Sequence, residues 1–323
     1  MIDSDSSTNP ENMKHTALED LLQILICPDC HGELSLANSA YKCSNCERTY
    51  PVRGRIIILL PSDLEEVKRN EDKYYENHRM EGKGKPAWMT LVHKREDIKF
   101  LINEFLPKHK HEITGRFLEI GSGSCWASSI IESYCRPKLE KIVASDVCLL
   151  ALQKGEDIAK LIGANINYFI ACDTERLPFK EEAFDVIFGS QIIHHFLNTE
   201  KGVSEIYRVL NREGVYLGIN ETATNTIFTF FSRSRFWHVR ERAKRRGITE
   251  KVISWNKWID LFRRSGFKKV CINLECNPEY KFRASARSRS RWFLPLYYKL
   301  ISLLPDFLVR HYLASSISIV ANK

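Results

Sequence analysis

No stretch of this 323-residue sequence stays apolar and uncharged for the roughly 20 residues that a bilayer-crossing helix needs. The opening residues, Met1 to Ser7, lack the basic start and apolar core of a secretory signal. Acidic residues are scarce at the other end: residues 220–323 hold 21 Lys/Arg against 7 Asp/Glu, while the preceding residues hold 27 against 33. A cytoplasmic chain is therefore expected, without a spanning helix. Its basic third would face an anionic partner: nucleic acid, an acidic substrate, or a membrane surface touched peripherally on the inner face. In such a chain, ten cysteines read as metal ligands and free thiols rather than disulfides.

What is present is ordinary for a globular protein with a sizeable core, at 44% hydrophobic and 27% charged residues. Residues 1–15 read as a disordered polar tail. Thr16 and Glu19 have capping-box spacing ahead of Leu21, Leu22 and Leu25, so a short helix is expected there. It delivers the chain to Cys27-Pro-Asp-Cys30, which Cys43-Ser-Asn-Cys46 answers twelve residues on. Two residues between cysteines let both thiolates of a knuckle point at one ion, and two knuckles complete a tetrahedral zinc site. Four sulfur ligands leave no open position for substrate, so a structural Zn2+ is expected. A module this short lacks the core to fold without it. Residues 62–76 are charged and read as helical. A flexible break comes next at 81–86, then an amphipathic helix from Lys94 to Leu106 with Ile98, Leu101, Ile102 and Phe105 on one face.

Phe117-Leu-Glu-Ile-Gly-Ser-Gly123 then reads as a strand entering a tight glycine turn, with a helix from Trp126 to Tyr134 behind it. Without a Cβ at Gly121 and Gly123, a ligand can approach the backbone closely. Further strands are expected at Ile142–Asp146, Asn167–Cys172, Phe184–Phe188 and Val215–Ile219, with helices between them. Such alternation builds an open α/β sheet whose ligands sit at the strand C-termini. The helix Trp255–Ser265 and the strands Lys268–Leu274 and Ile317–Ala321, the last antiparallel, complete the pattern.

The ordered set resembles the class I S-adenosylmethionine (SAM)-dependent methyltransferases, of the kind that includes the ubiquinone and menaquinone biosynthesis enzymes. The matching pieces are Glu119-Ile-Gly-Ser-Gly, Asp146 after the second strand, Cys172-Asp173-Thr174 with Leu177-Pro178-Phe179, Phe184-Asp185-Val186-Ile187 with His194-His195, and Glu205-Ile-Tyr-Arg-Val-Leu. One departure is visible: Cys125 stands where the family's usual third glycine would be. Residues 18–61, ending in Tyr50-Pro-Val-Arg-Gly-Arg-Ile-Ile-Ile-Leu-Leu-Pro61, resemble the zinc ribbon of the small activator subunit of tRNA and protein methyltransferases.

The resemblance implies a Rossmann-like seven-stranded sheet with helices on both faces, a small N-terminal zinc ribbon at 16–61, and a linker and cofactor lid at 62–110. The methyltransferase domain would fill 111–323, with a substrate lid at 220–254 and a helical, amphipathic insertion at 277–314. It implies SAM as cofactor. Gly121, Ser122 and Gly123 would receive the methionine end, with Glu119 holding the turn. Asp146, with Val147 beside it, would hold the ribose. Asp173 and Thr174 would read the adenine. Ser190 would lie nearby, and Tyr75 would close over the site. Asp146 and Asp173 also fit as helix N-caps. His194 and His195 are the candidates for a general base, with pocket-shaping as the alternative.

Two further absences narrow the acceptor. The Asn/Asp-Pro-Pro-aromatic motif that holds exocyclic base amines is missing after the fourth strand, and no Pro-Cys dipeptide occurs for cytosine C5 chemistry. Aromatics at 228–237 would suit an apolar pocket, and the run Trp292 to Leu304 would pack on the Rossmann core or the ribbon, guard a pocket for a greasy substrate, or lie on a membrane surface. A small-molecule or lipid-like acceptor, methylated on oxygen or carbon, is therefore preferred. An rRNA or tRNA acceptor is the alternative, supported by the ribbon, the basic third and a similar domain order in a bacterial ribosomal-RNA guanine methyltransferase. A non-catalytic SAM-binding or methyltransferase-activating module is the third reading.

Overall fold

A computed structural model describes residues 20–37, 40–77, 81–224, 251, 253–275 and 316–323. The N-terminal tail with its capping box, the aromatic and basic stretch at 228–246, and the insertion at 277–314 lie outside the described residues.

The strands, in chain order, are β1 (Leu34–Ala37), β2 (Ala40–Cys43), β3 (Thr49–Arg53), β4 (Ile56–Leu59), β5 (Gly115–Ile120), β6 (Leu139–Asp146), β7 (Tyr168–Cys172), β8 (Phe184–Ser190), β9 (Leu210–Thr224), β10 (Ile253–Ser254), β11 (Lys269–Glu275) and β12 (Ser316–Asn322). The spatial order is β1-β2-β3-β4-β7-β6-β5-β8-β9-β12-β11, with β10 beside β9. From β7 to β9 the strands run parallel, and β12 is antiparallel to both β9 and β11. The expected seven-stranded α/β sheet is present. Its order reverses between β5 and β8, and it is there, beyond strand C-termini, that open α/β sheets leave a crevice.

The sheet continues where the sequence alone placed a separate module. Strand β4, the last of the ribbon, pairs in parallel with β7, and Leu59 sits opposite Cys172. The run Ile56-Ile57-Ile58-Leu59 is apolar on both faces, as a strand buried within a mostly parallel sheet must be. The chain before Cys27 joins too: Ile26 N–H donates to the Pro178 carbonyl at 3.0 Å and Lys180 N–H to that of Ile24 at 2.7 Å. Tyr41, Tyr50, Leu21 and Leu25 are buried in the same cluster as Leu118, Ile120, Phe179 and Phe184. The ribbon and the α/β sheet therefore share one core.

The other face is covered by the helices Trp126–Cys135 and Leu149–Ile162 and by the run from Arg95 to His109. Leu101 and Phe105 are buried there, and Ile98 and Ile102 pack against them, as the apolar spacing predicts. The run is interrupted by a π-helical turn, Leu101–Phe105, a device found often near functional sites.

Candidate functional site

Four cysteines form the first site. Cys27 Sγ lies 3.7 Å from Cys46 Sγ and Cys30 Sγ lies 3.5 Å from Cys43 Sγ. All four sulfurs fall within 4.8 Å of one another. A tetrahedral zinc with bonds of about 2.3 Å sets its sulfurs about 3.8 Å apart, so the set fits that ion. The Asn45 and Cys46 N–H groups approach Cys43 Sγ at 3.4 and 3.5 Å, as hydrogen bonds that steady a thiolate do. Inside the first knuckle, Asp29 ties the ribbon to the start of the linker at Ser62. Its carboxylate accepts from Tyr50 Oη at 2.6 Å, from Arg48 at 2.9 Å, and from the N–H and hydroxyl of Ser62.

The second site is a cavity of about 340 Å³ beyond the ends of β5 to β8. Eleven of the twelve positions expected to bind or react with ligand line it: Tyr75, Glu119, Gly121, Ser122, Gly123, Asp146, Val147, Asp173, Thr174, Ser190 and His195. His194 does not.

The glycine turn has φ of 57° at Gly121 and 51° at Gly123, the left-handed region that glycine takes without penalty. A Cβ on Gly121 would collide with Ile192 at 2.2 Å, whereas one on Gly123 would meet nothing within 4 Å. Gly123 thus presents bare backbone to the cavity. Cys125, where a third glycine is usual, also takes a left-handed conformation, φ 54°. Its buried thiol sits over Gly155, where a Cβ would come within 2.4 Å of the sulfur. The thiol is absorbed by a neighbouring helix and does not line the cavity.

Asp146 is braced from both sides. Its Oδ2 accepts the Gly123 N–H at 2.7 Å and its Oδ1 the Cys148 N–H at 2.8 Å. It does not cap the helix Leu149–Ile162, because Cys148 Sγ takes that role toward Ala151. Burial pushes the Asp146 carboxyl up, the two backbone donors oppose this, and Asp72 adds to it. Glu119, fully buried, accepts the Ser128 N–H at 2.9 Å. Burial pushes its carboxyl up to about 8, with Asp146 reinforcing and the Ser128 bond opposing. Glu71, in the helix Glu71–Glu76, is pushed up to about 7 by burial and by the charges of Asp146 and Asp72.

Asp173 does cap a short 3-10 turn, accepting the Glu175 N–H at 3.0 Å. Both its oxygens are also engaged by Lys68 Nζ, at 2.9 and 2.8 Å. Lys68, Glu71, Glu81, Lys94 and Gln191 line the cavity without having been expected there. For Lys68 and Glu71 the only signal was the charge density of 62–76. Tyr75 Oη and Ser124 Oγ are buried on the cavity wall without a hydrogen-bond partner among the described residues.

The two histidines part company. The chain leaves β8 through Gln191 at φ 56°, a conformation held only where the surroundings fix it. Glu221 does the fixing. Its carboxylate, fully buried, accepts the N–H groups of Ile192 and Ile193, both at 2.9 Å, and lies 2.7 Å from His194 Nδ1. Burial pushes the Glu221 carboxyl up, but His194 and the two backbone donors outweigh it and hold it below the usual range. His194 is buried in this hub, and its ring lies 4.2 Å from that of His195, tilted by 40°; His195 faces the cavity.

A methyltransferase-domain family model matches residues 118–218, and the Trm112p-like protein model matches residues 19–54. The chain is 26% identical to the uncharacterized methyltransferase YcgJ of Bacillus subtilis over 40% of its own length, and the match spans 47% of that relative, about half. A UPF0434 protein of Proteus mirabilis is 40% identical over 16% of the chain and 93% of its own length. Among solved structures, a complex of the Haloferax volcanii Trm112 methyltransferase activator with a methyltransferase aligns at a TM-score of 0.46 and 12% identity, over 72% of this chain and 96% of that one.

Proposed function

We propose that this chain, which belongs to the SAM-dependent methyltransferases and carries a Trm112p-like ribbon in the same polypeptide, binds SAM in the cavity beyond β5–β8 and methylates a small or lipid-like acceptor on oxygen or carbon. The observation that carries the cofactor assignment is Asp146, latched to Gly123 at the open backbone of the turn. The Gly121–Gly123 turn receives the methionine end and Asp146 the ribose hydroxyls. Asp173 and Thr174 meet the adenine, and Tyr75 and Ser124 supply the unpartnered hydroxyls. The carboxylates of Glu71, Glu119 and Asp146 in one wall suit a ligand with two cationic centres.

Bound SAM supplies an already activated sulfonium methyl, so the protein's work is chiefly to align the acceptor and exclude water. His195 is the base candidate that faces the cavity. His194, locked by Glu221, serves as the support on which His195 rests. For an acceptor with a hydroxyl, His195 would accept the hydroxyl proton. An RNA acceptor is the second reading, favoured by the Trm112p-like domain and by the basic balance of residues 220–323. A structural Zn2+ in the four-cysteine site completes the assignment.

The test is radiolabel transfer from SAM into lipid, small-metabolite and RNA extracts, run with the wild type and Asp146→Ala. Label in a lipid or metabolite fraction, lost in the variant, supports the preferred reading. Label in RNA moves the acceptor to the second reading, with the salt sensitivity that phosphate contacts impose. No label in any fraction, with SAM still bound, leaves a SAM-binding module.

A further inference from the structure

Lys68 is an unusual residue to find in this cavity. It belongs to the short helix Glu66–Arg69, in the linker that leaves the ribbon after β4. Its side chain is 12% exposed, and the side chains of Asp173 and Glu175 are each 4% exposed. Lys68 Nζ lies 2.8 Å from Asp173 Oδ2, 3.1 Å from Glu175 Oε1 and 3.3 Å from Glu65 Oε2. Two carboxylates two residues apart in sequence are therefore buried side by side around one ammonium.

Their other contacts do not neutralise them. Asp173 accepts one backbone N–H, from Glu175, and Glu175 accepts two, from Leu197 and Asn198, both at 2.8 Å. Among the described residues, two further cations face the pair. Arg176, 2.6 Å from Asp63, also acts through its charge on Asp173. Lys251 faces Glu175 while its Nζ donates to the Leu197 carbonyl at 2.7 Å. Burial works against the Lys68 ammonium, but the hydrogen bonds and charges of Asp173 and Glu175 prevail and hold its pKa above the ordinary value. Like charges this close cannot both persist out of water without a counter-charge.

We infer that Lys68 is a positioning residue for the cofactor: its ammonium bridges the Asp173 and Glu175 carboxylates and fixes Asp173 as a hydrogen-bond acceptor at the adenine end of the cavity. The inference rests on the SAM-binding reading above. A carboxylate accepts from an amine such as the adenine N6 group. Because Lys68 lies just past β4, and Leu59 of β4 lies opposite Cys172, the residue before Asp173, the ribbon and its linker complete the cofactor site of the neighbouring domain. The fusion thus has a chemical role at the site as well as a structural one.

The experiment is equilibrium binding of SAM and its demethylated product by calorimetry between pH 6 and 8.5, on the zinc-loaded full chain, for wild type, Lys68→Met and Lys68→Arg, with thermal melts as folding controls. Lys68→Met should bind at least about tenfold more weakly at pH 6.5, the loss of one charge-assisted contact. Lys68→Arg should stay within a few-fold of wild type. A folded Lys68→Met that matches wild type overturns the inference, as does a folded Lys68→Arg that loses as much affinity as Lys68→Met. If Lys68→Met fails to fold, reductive methylation of the native protein decides: ligand should protect Lys68, and equal labelling with and without ligand overturns the role. A wild type that binds no SAM fails the reading beneath, not this one.

Discussion

Asp146 Oδ2 accepts the Gly123 N–H at 2.7 Å, across 23 residues of chain. The carboxylate at the end of β6 therefore holds in place the bare backbone at the end of β5, and one side chain both shapes the turn and lines the cavity. Asp146→Ala removes both functions. SAM affinity should fall by about 100-fold, on the order of 3 kcal/mol for a charge-assisted contact plus a loosened turn. Asp146→Asn, which keeps an acceptor for Gly123, should lose less. Calorimetric titration of the two variants checks the ranking.

Glu119 gives the apo protein a pH-dependent stability. Its folded-state value, raised by burial to about 8, lies above the ordinary 4.5, so the folded chain holds a proton that the unfolded chain releases. That contribution is complete below about pH 4.5 and is lost as pH rises toward 8. The melting temperature should accordingly decline across that window, and Glu119→Gln should flatten the slope. Binding of a cationic ligand beside Glu119 and Glu71 should release protons near pH 7. Titrations in buffers of different ionisation enthalpy measure that release, and identical heats in all buffers would contradict the assignment.

Glu221 is fully buried and serves the backbone N–H groups of Ile192, Ile193 and His194 and the His194 ring at once. Glu221→Ala strands all four, and about 3 kcal/mol or more of stability should go with it. Urea unfolding reads the loss. A change below about 1 kcal/mol would mean that the turn after β8 holds itself without Glu221.

His195 should separate chemistry from binding. His195→Ala leaves the Asp146–Gly123 latch untouched, so SAM affinity should stay within about twofold while turnover on a hydroxyl acceptor falls by about 100-fold or more. His194→Ala should instead act first on stability, through the Glu221 hub. Equal loss of cofactor affinity in both variants would refute this division.

Metal removal should reach further than the ribbon. Because β4 pairs with β7 and the two modules share a core, chelation should expose the edge of the α/β sheet as well as unfold residues 20–59. Hydrogen exchange before and after chelation checks this: faster exchange in β7 is expected, and an unchanged β7 would mean that the sheet edge stands alone.

The sheet was legible because its signals are local. Apolar runs at Phe117–Ile120, Ile142–Ala144 and Phe184–Phe188 end in glycine or carboxylate, and each became a strand with a cavity-facing terminus. The four cysteines were legible because knuckle spacing constrains thiolate direction. Long-range relations were not. Nothing in Ile56-Ile57-Ile58-Leu59 says which edge it will join, since an apolar strand pairs with any open edge. Lys68, in a stretch dense with other charged residues, carries no mark of the buried pair it serves. His194 and His195 are adjacent and alike in sequence. Only the placement of Glu221, 27 residues away, decides which of them is locked and which faces the cavity.

SAM binding at the Asp146–Gly123 latch is tested most directly by calorimetric titration of the zinc-loaded full chain with SAM, beside Asp146→Ala under the same conditions. Saturable binding with one site per chain is expected in the wild type, with a loss of about 100-fold in the variant. Equal affinity in the two proteins, or no binding by a folded wild type, would contradict SAM binding there.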